Sequence, residues 1–98
     1  MAKKIKSIIQ NEKVCYITGE TYNLHEHHVF GGAYKDASDR LGLTIYLRPD
    51  WHNMADYGIH FDKELRERIQ DEVQRFAMEY YDMTEEQWII EVGRSFLL

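Results

Sequence analysis

The stretch LTIYLRPDWHN, residues 43–53, places a strand signal directly before a helix signal. Residues 43–47 combine β-branched, aromatic and aliphatic side chains between Gly42 and Pro49, which is typical of a strand. Proline suits the first position of a helix, because the backbone N–H that it lacks has no partner there. We therefore predict a strand over 43–47 and a short helix over 49–56 that breaks near Gly58, with His52 and Asn53 on the helix.

The preceding stretch LHEHHVFGG, residues 24–32, holds three of the five histidines of the chain. Its EHHVF portion is typical of a strand that stops at a glycine pair. Neighbouring side chains of a strand point to opposite faces, so His25 and His27 share one face and His28 lies on the other. A hairpin followed by a helix brings the first strand close to His52, and neutral imidazoles from separate elements are common ligands of transition-metal ions.

Three other segments of the N-terminal half also carry local signals. Lys3–Lys13 has the spacing of a short amphipathic helix with isoleucines on one face. VCYITG, residues 14–19, is typical of a strand stopped by Gly19, and AYKDASDRLG, residues 33–42, is predicted to be a polar connection.

The C-terminal part of the chain has the pattern of two helices. Asp62 is a predicted N-cap, and apolar residues then recur through a helix of about 20 residues at Leu65, Ile69, Val73, Phe76 and Tyr80. Thr84 and Gln87 form a capping-box pattern for a last helix that Gly93 ends, with Trp88, Ile89 and Val92 expected to pack. The chain is therefore predicted to be one α+β domain over 1–98, with a basic segment (1–13), a hairpin-plus-helix core (14–60) and a helical scaffold (61–98).

Composition predicts a compact protein in a reducing cytoplasm. The 98 residues are 44% apolar, and no apolar run approaches the roughly 20 residues that span a bilayer. The single Cys15 cannot form an internal disulfide, which fits a reducing compartment. The net charge is −5, with seven basic and five acidic residues in 1–48 but five and twelve in 49–98. Because nucleic-acid binding depends on a basic footprint, such a footprint can only be local here.

The order HHVFGG, LTIYLRPDWHN, YGIHF resembles the HNH, or ββα-metal (His-Me finger), nucleases. The resemblance is closest to small phage and prophage proteins related to RecA-dependent recombination-enhancement nucleases, and it extends from about Cys15 to the C-terminal EVGRSFL. It implies a small ββα-metal core followed by two helices, and a metal-dependent endonuclease or nickase acting in phage recombination or DNA processing. It also implies a phage-encoded or prophage-encoded protein in the bacterial cytoplasm.

The resemblance implies a role for each matched residue. His27, His52 and His60 would bind one divalent ion (Mg²⁺, Mn²⁺, Ni²⁺ or Zn²⁺), and His28 would be the general base that takes a proton from water. Asn53, which binds metal in some relatives and shapes the turn in others, is counted with His28 as catalytic. Lys35, Arg40 and Arg48 would hold the DNA backbone, with a homodimer and a host recombination or defence protein as further candidate partners.

The sequence departs from its apparent relatives in two places. Many of them have two CxxC-like pairs that hold a structural zinc, whereas this chain has CYIT at 15–18 and RPDW at 48–51, so that zinc is expected to be absent. Gly42-Leu43-Thr44 stands where the middle Asn of the motif is expected.

Two further hypotheses belong to other functional classes. One is an inactive HNH-fold phage accessory or anti-defence protein that binds a host protein through an acidic helical surface around Glu64, Glu67 and Asp71. The other is a structural metal module in which His25, His27, His52 and His60 close a tetrahedral site.

Overall fold

A two-stranded antiparallel sheet and several helices make up the fold, so the predicted α+β class is confirmed. The computed structural model describes residues 4–98. The strands are β1 (His25–His28) and β2 (Thr44–Leu47), and the α-helices are α1 (Lys35–Leu41), α2 (Lys63–Tyr80) and α3 (Glu85–Val92). A 3₁₀ turn, Gly32–Tyr34, precedes α1, and a π-helical segment, Asp50–Met54, follows β2.

The hairpin fixes which way each histidine of β1 points. His27 pairs with Ile45 and His28 with Thr44 in the antiparallel register. Ile45 and Leu47, which share one face of β2, are fully buried, and Thr44 on the other face is buried as well. β1 therefore lies against the core, with His27 buried and His28 partly exposed.

Residues 33–42, predicted to be a polar connection, form most of the 3₁₀ turn and helix α1 instead. The prediction is wrong because Ala37, Ser38 and Leu41 are buried on one helical face. The Ser38 hydroxyl donates to the Phe30 carbonyl at 2.7 Å and accepts from the Phe30 amide at 3.2 Å, which fastens α1 to the end of β1. Gly42 ends the helix at φ +72°, where a Cβ would lie 2.5 Å from the Lys6 carbonyl oxygen.

Two other expectations for the N-terminal half are also wrong. Residues 4–13 are not helical, and Lys3 lies outside the described residues. The segment instead lies along the hairpin, where the Ser7 hydroxyl donates to the Thr44 carbonyl and Gln10 accepts from the Tyr46 amide. Residues 14–19 form a turn rather than a strand, because the Gly19 amide bonds back to the Cys15 carbonyl at 2.8 Å. The Cys15 side chain is buried in the core.

Helices α2 and α3 begin where the sequence predicts. The Asp62 side chain accepts from the Leu65 amide, and Thr84 and Gln87 form both bonds of a capping box. Ile69, Val73, Trp88 and Val92 are buried, whereas Phe76, Tyr80 and Ile89, also expected to pack, are exposed. The buried Trp88 ring packs edge-on against Phe30 with centroids 5.3 Å apart, so α3 closes the core beside the end of β1.

Within residues 4–98, no helix combines the length and the apolar character that a membrane span requires.

Candidate functional site

His27 is a buried polar side chain without a hydrogen-bond partner. Its side chain is 6% exposed, and its Nε2 bonds to no other atom of residues 4–98. An unpaired buried polar atom costs about 1–3 kcal/mol, because it has lost its bonds to water. The strand directs this nitrogen toward the chain that follows β2, where two more imidazoles lie.

His52 and His60 reach this position through one tightly folded loop. His52 is on the π-helical segment, and the loop after it folds back so that the Ile59 amide donates to the Trp51 carbonyl and the His60 amide to the His52 carbonyl. Gly58 permits this close approach, since a Cβ there would lie 2.7 Å from the Asp50 carbonyl oxygen. The helix over 49–56 that the sequence predicts is thus shorter and wider than expected, but it presents His52 as predicted.

The side chains of His27, His52 and His60 converge into one cluster, called here the histidine cluster. One ring nitrogen from each lies within 4.8 Å of the others. The His52 and His60 Nε2 atoms are 3.0 Å apart, and the ring centroid of His27 is 5.1 Å from each of the other two. These are the three residues that the resemblance to the HNH nucleases implies as metal ligands.

Two imidazoles of the cluster, those of His27 and His52, are favoured in their neutral form. Burial lowers the pKa of His27 to about 3, and the charges that His52, His60 and His28 would carry add to the effect. Burial likewise lowers the pKa of His52 to about 4, with smaller contributions from His60 and His25. A neutral imidazole keeps a lone pair, which is the form that binds a metal ion.

His25 contacts the cluster from behind rather than joining it. Its Nδ1 lies 3.0 Å from the Nδ1 of His52, on the side of the ring away from the His60 contact. Only one of two facing nitrogens can accept, so the pair holds one N–H and fixes the orientation of the His52 ring. Within the described part of the chain, the converging ligand atoms thus come from three histidines and not from His25. The hypothesis of a structural metal module needs His25 as a fourth ligand.

His28 points away from the cluster and toward α1. Its Nε2 lies 2.7 Å from the Asp39 Oδ1, and both side chains are largely buried, with 24% and 22% exposed. The other predicted catalytic residue, Asn53, is exposed on the π-helical segment and does not border the cavity described next, so its catalytic role stays a prediction.

A cavity of about 560 Å³ joins the two histidine groups. His27, His52 and His60 line it together with His28 and the glycine pair Gly31-Gly32. Two basic residues also border it: Lys35, at the start of α1, and Arg66, whose guanidinium lies 3.4 Å from the backbone oxygens of Ile59 and His60. A negatively charged group entering the cavity would therefore meet imidazoles and cations, and also the carboxylate of Glu26, which accepts from Lys4 and from the Thr44 hydroxyl.

The other two predicted DNA contacts lie outside this cavity. Arg40 donates to the Glu91 carboxylate at 2.7 Å and to its backbone oxygen at 2.8 Å, which joins α1 to α3. Arg48 lies between the carboxylates of Glu20 and Asp50, at 2.6 and 3.1 Å. Their roles at DNA stay predictions, and the geometry gives both a structural role.

Sequence reasoning missed Asp39 and Arg66 as site residues. Arg66 belongs to the charged face of α2, and its place at the cavity depends on how the Gly58 loop packs under the helix start. Asp39 was hidden in the segment read as a connection. The four-residue spacing between Ala37 and Leu41, followed by Gly42, is the one available signal that the segment is helical.

A scan of protein-family models and searches of curated proteins and of solved structures found no significant match to this chain. The resemblance to the HNH nucleases thus stays a prediction from sequence.

Proposed function

We propose that this chain is a metal-dependent endonuclease or nickase that hydrolyses DNA phosphodiester bonds. The observation that carries the proposal is the convergence of His27, His52 and His60 in a cavity that His28, Lys35 and Arg66 also line. This arrangement combines a cation-binding group, a separate imidazole and positive charge for a phosphate. Phosphodiester hydrolysis needs all three.

The residues present fit a divalent ion. The buried His27 Nε2 lacks a partner within residues 4–98, and a bound cation would supply one. His52 can keep its Nδ1 for His25 while its Nε2 faces the cluster, which is the arrangement of a ligand steadied from behind. A set of three imidazole nitrogens favours Zn²⁺ or Ni²⁺ over Mg²⁺, because Mg²⁺ prefers oxygen ligands.

When bound, such an ion supplies Lewis acidity that stabilises the charge developing on the phosphate oxygens. The chain's own contribution to the proton transfer is His28. Its Nε2 is occupied by Asp39, and its other nitrogen remains to accept a proton from water at the cavity. A positioned general base of this kind contributes about 10²–10⁴-fold to the rate.

Lys35 and Arg66 are the residues proposed to hold the DNA backbone. Both border the cavity, and neither forms an ion pair within residues 4–98. The cations are few and the chain is acidic overall, so we expect weak affinity with a shallow salt dependence, because the slope scales with the number of phosphates that are neutralised.

Plasmid nicking in Mg²⁺, Mn²⁺, Ni²⁺ or Zn²⁺ tests the proposal. We expect cutting that chelator abolishes and that His28→Ala lowers by about 10²–10⁴-fold. Tyr22→Ala is the control, because that side chain is 83% exposed and lies outside the cavity. Absence of cutting by the wild type with all four ions, in protein whose circular dichroism shows it to be folded, would reject the nuclease.

The accessory-protein hypothesis is the second candidate, because Arg40 and Arg48, two of the three predicted DNA contacts, are both paired with carboxylates. In this hypothesis a host protein binds to the acidic face of α2, around Glu64, Glu67 and Asp71. Its distinguishing result is binding that survives His28→Ala but weakens when Glu64, Glu67 and Asp71 are neutralised together.

A further inference from the structure

The partner of His28 decides which nitrogen of its ring is free. A carboxylate has only acceptor atoms at neutral pH, so the 2.7 Å contact with Asp39 Oδ1 requires a hydrogen on Nε2 of His28. In a neutral ring the lone pair is then on Nδ1. Within residues 4–98, no hydrogen bond is formed to that Nδ1.

Asp39 is held in place by the framework around α1. Its backbone oxygen accepts from the Ile5 amide at 3.0 Å, and its neighbour Ser38 forms both hydrogen bonds to Phe30. The next residue, Arg40, is bonded to Glu91 of α3. The carboxylate therefore belongs to a helix that is fixed to β1, to the N-terminal segment and to α3.

Glu26, a second carboxylate near His28, already has other hydrogen-bond partners. Glu26 lies on the same face of β1 as His28, but its oxygens accept from Lys4 and from the Thr44 hydroxyl. Asp39 is thus the carboxylate that the fold supplies to His28.

We infer that Asp39 is a positioning residue for His28, which fixes the ring orientation and keeps the hydrogen on Nε2. In its catalytic meaning the inference rests on the proposed function. There, Nδ1 takes a proton from water while the water oxygen bonds to phosphorus and the bond from phosphorus to the leaving oxygen breaks. The leaving oxygen then gains a proton from solvent, so the step balances.

Nuclear magnetic resonance of the chelated protein tests the geometry without any activity measurement. In mildly alkaline buffer, the ring N–H of His28 should give a proton signal protected from exchange, because it is bonded to Asp39. The signal is assigned by its loss in His28→Gln. It should vanish in Asp39→Ala and persist in Asp39→Asn, since an amide oxygen still accepts.

Asp36→Ala is the matched control, because Asp36 is an exposed aspartate on the same helix. It should leave the signal unchanged. A protected Nε2–H signal that survives in Asp39→Ala, or that is absent from the wild type, would overturn the inference. If Asp39→Ala fails to fold, the comparison of Asp39→Asn with wild type still decides, because loss of the signal there contradicts an acceptor role.

Single-turnover nicking tests the catalytic meaning. Asp39→Ala should lower the maximal rate about 10–100-fold with little change in the DNA concentration at half-maximal rate, and Asp39→Asn should restore most of it. The double variant His28→Ala/Asp39→Ala should cut no more slowly than His28→Ala alone, because both substitutions remove one unit. Additive losses would mean that Asp39 acts elsewhere. If the wild type cuts no DNA, the proposed function is rejected. The NMR signal of the His28 ring N–H still tests the positioning role of Asp39, because that measurement does not depend on activity.

Discussion

Acid should unfold the metal-free protein through His27. Between its folded pKa of about 3 and the ordinary value of 6.5, the unfolded chain binds a proton at this residue that the folded chain does not. Stability from this group is therefore complete above pH 6.5 and is lost as the pH falls below it. Each pH unit in the window costs about 1.4 kcal/mol, so a change from pH 7.5 to pH 5 costs about 2 kcal/mol.

The assay is urea unfolding of chelated wild type and of His27→Gln at both pH values. The loss on acidification should be about 2 kcal/mol larger for the wild type, which corresponds to a midpoint difference of about 1 M urea. His52, whose pKa is lowered to about 4, also destabilises the protein as the pH falls. This contribution is present in both proteins, so it cancels in the comparison. Equal losses would show that His27 is not buried as a neutral imidazole, and the argument for the cluster would fail with it.

Two further predictions concern the cluster and α1. Zn²⁺ or Ni²⁺ at about 100 times its dissociation constant should stabilise the wild type by about 2.7 kcal/mol in thermal melts. His52→Ala should abolish that shift, while Met54→Ala, a 74% exposed neighbour on the same segment, should keep it, and an equal shift in His52→Ala would place the ion elsewhere. Gly42→Ala should cost about 2 kcal/mol or more in urea unfolding, because its φ is +72° and a Cβ would press on the Lys6 carbonyl. Gly31→Ala has no atom within 4 Å of its Cβ and serves as the control; similar costs for both would contradict the strain.

The elements that the sequence predicts correctly are those with signals in adjacent residues. Pro49 after the β-branched run marks the end of β2, and Asp62 and the Thr84–Gln87 pair mark the starts of α2 and α3 through bonds to their own first turns. Such caps act within four residues, so they can be read without knowing the rest of the fold.

The elements that the sequence misses depend on distant partners. Helix α1 is polar in composition, and the spacing of Ala37 and Leu41 before Gly42 is only a weak signal of it. The burial of its inner face depends on a distant contact, the bonds of Ser38 to Phe30. Phe76 and Tyr80 continue the apolar spacing of α2 past the surface that the core covers, so periodicity alone counts them as buried. The end of the helix where they stack on each other is exposed to solvent.

The same distinction applies to the site. The hairpin pattern is enough to predict that His52 approaches the first strand, whereas His60 is added to the predicted site only by the resemblance to the HNH nucleases. Asp39 needs a helix that the sequence did not reveal, and Arg66 needs the packing of the Gly58 loop under α2.

Because side chains of β1 point alternately to its two faces, the site tolerates insertions at some positions of the chain and not at others. His27 and His28 point to opposite faces because they are consecutive in the strand, and the pairing with Ile45 and Thr44 fixes which of them is buried. A slip of one residue would exchange the two imidazoles and expose the buried one to solvent. Insertions between Phe30 and Leu43 leave this alternation of side chains intact. One residue added or removed inside a strand exchanges the faces to which the following side chains point. In a graft of these histidines onto another hairpin, keeping one imidazole on each face of the strand therefore matters more than keeping the other amino acids of β1.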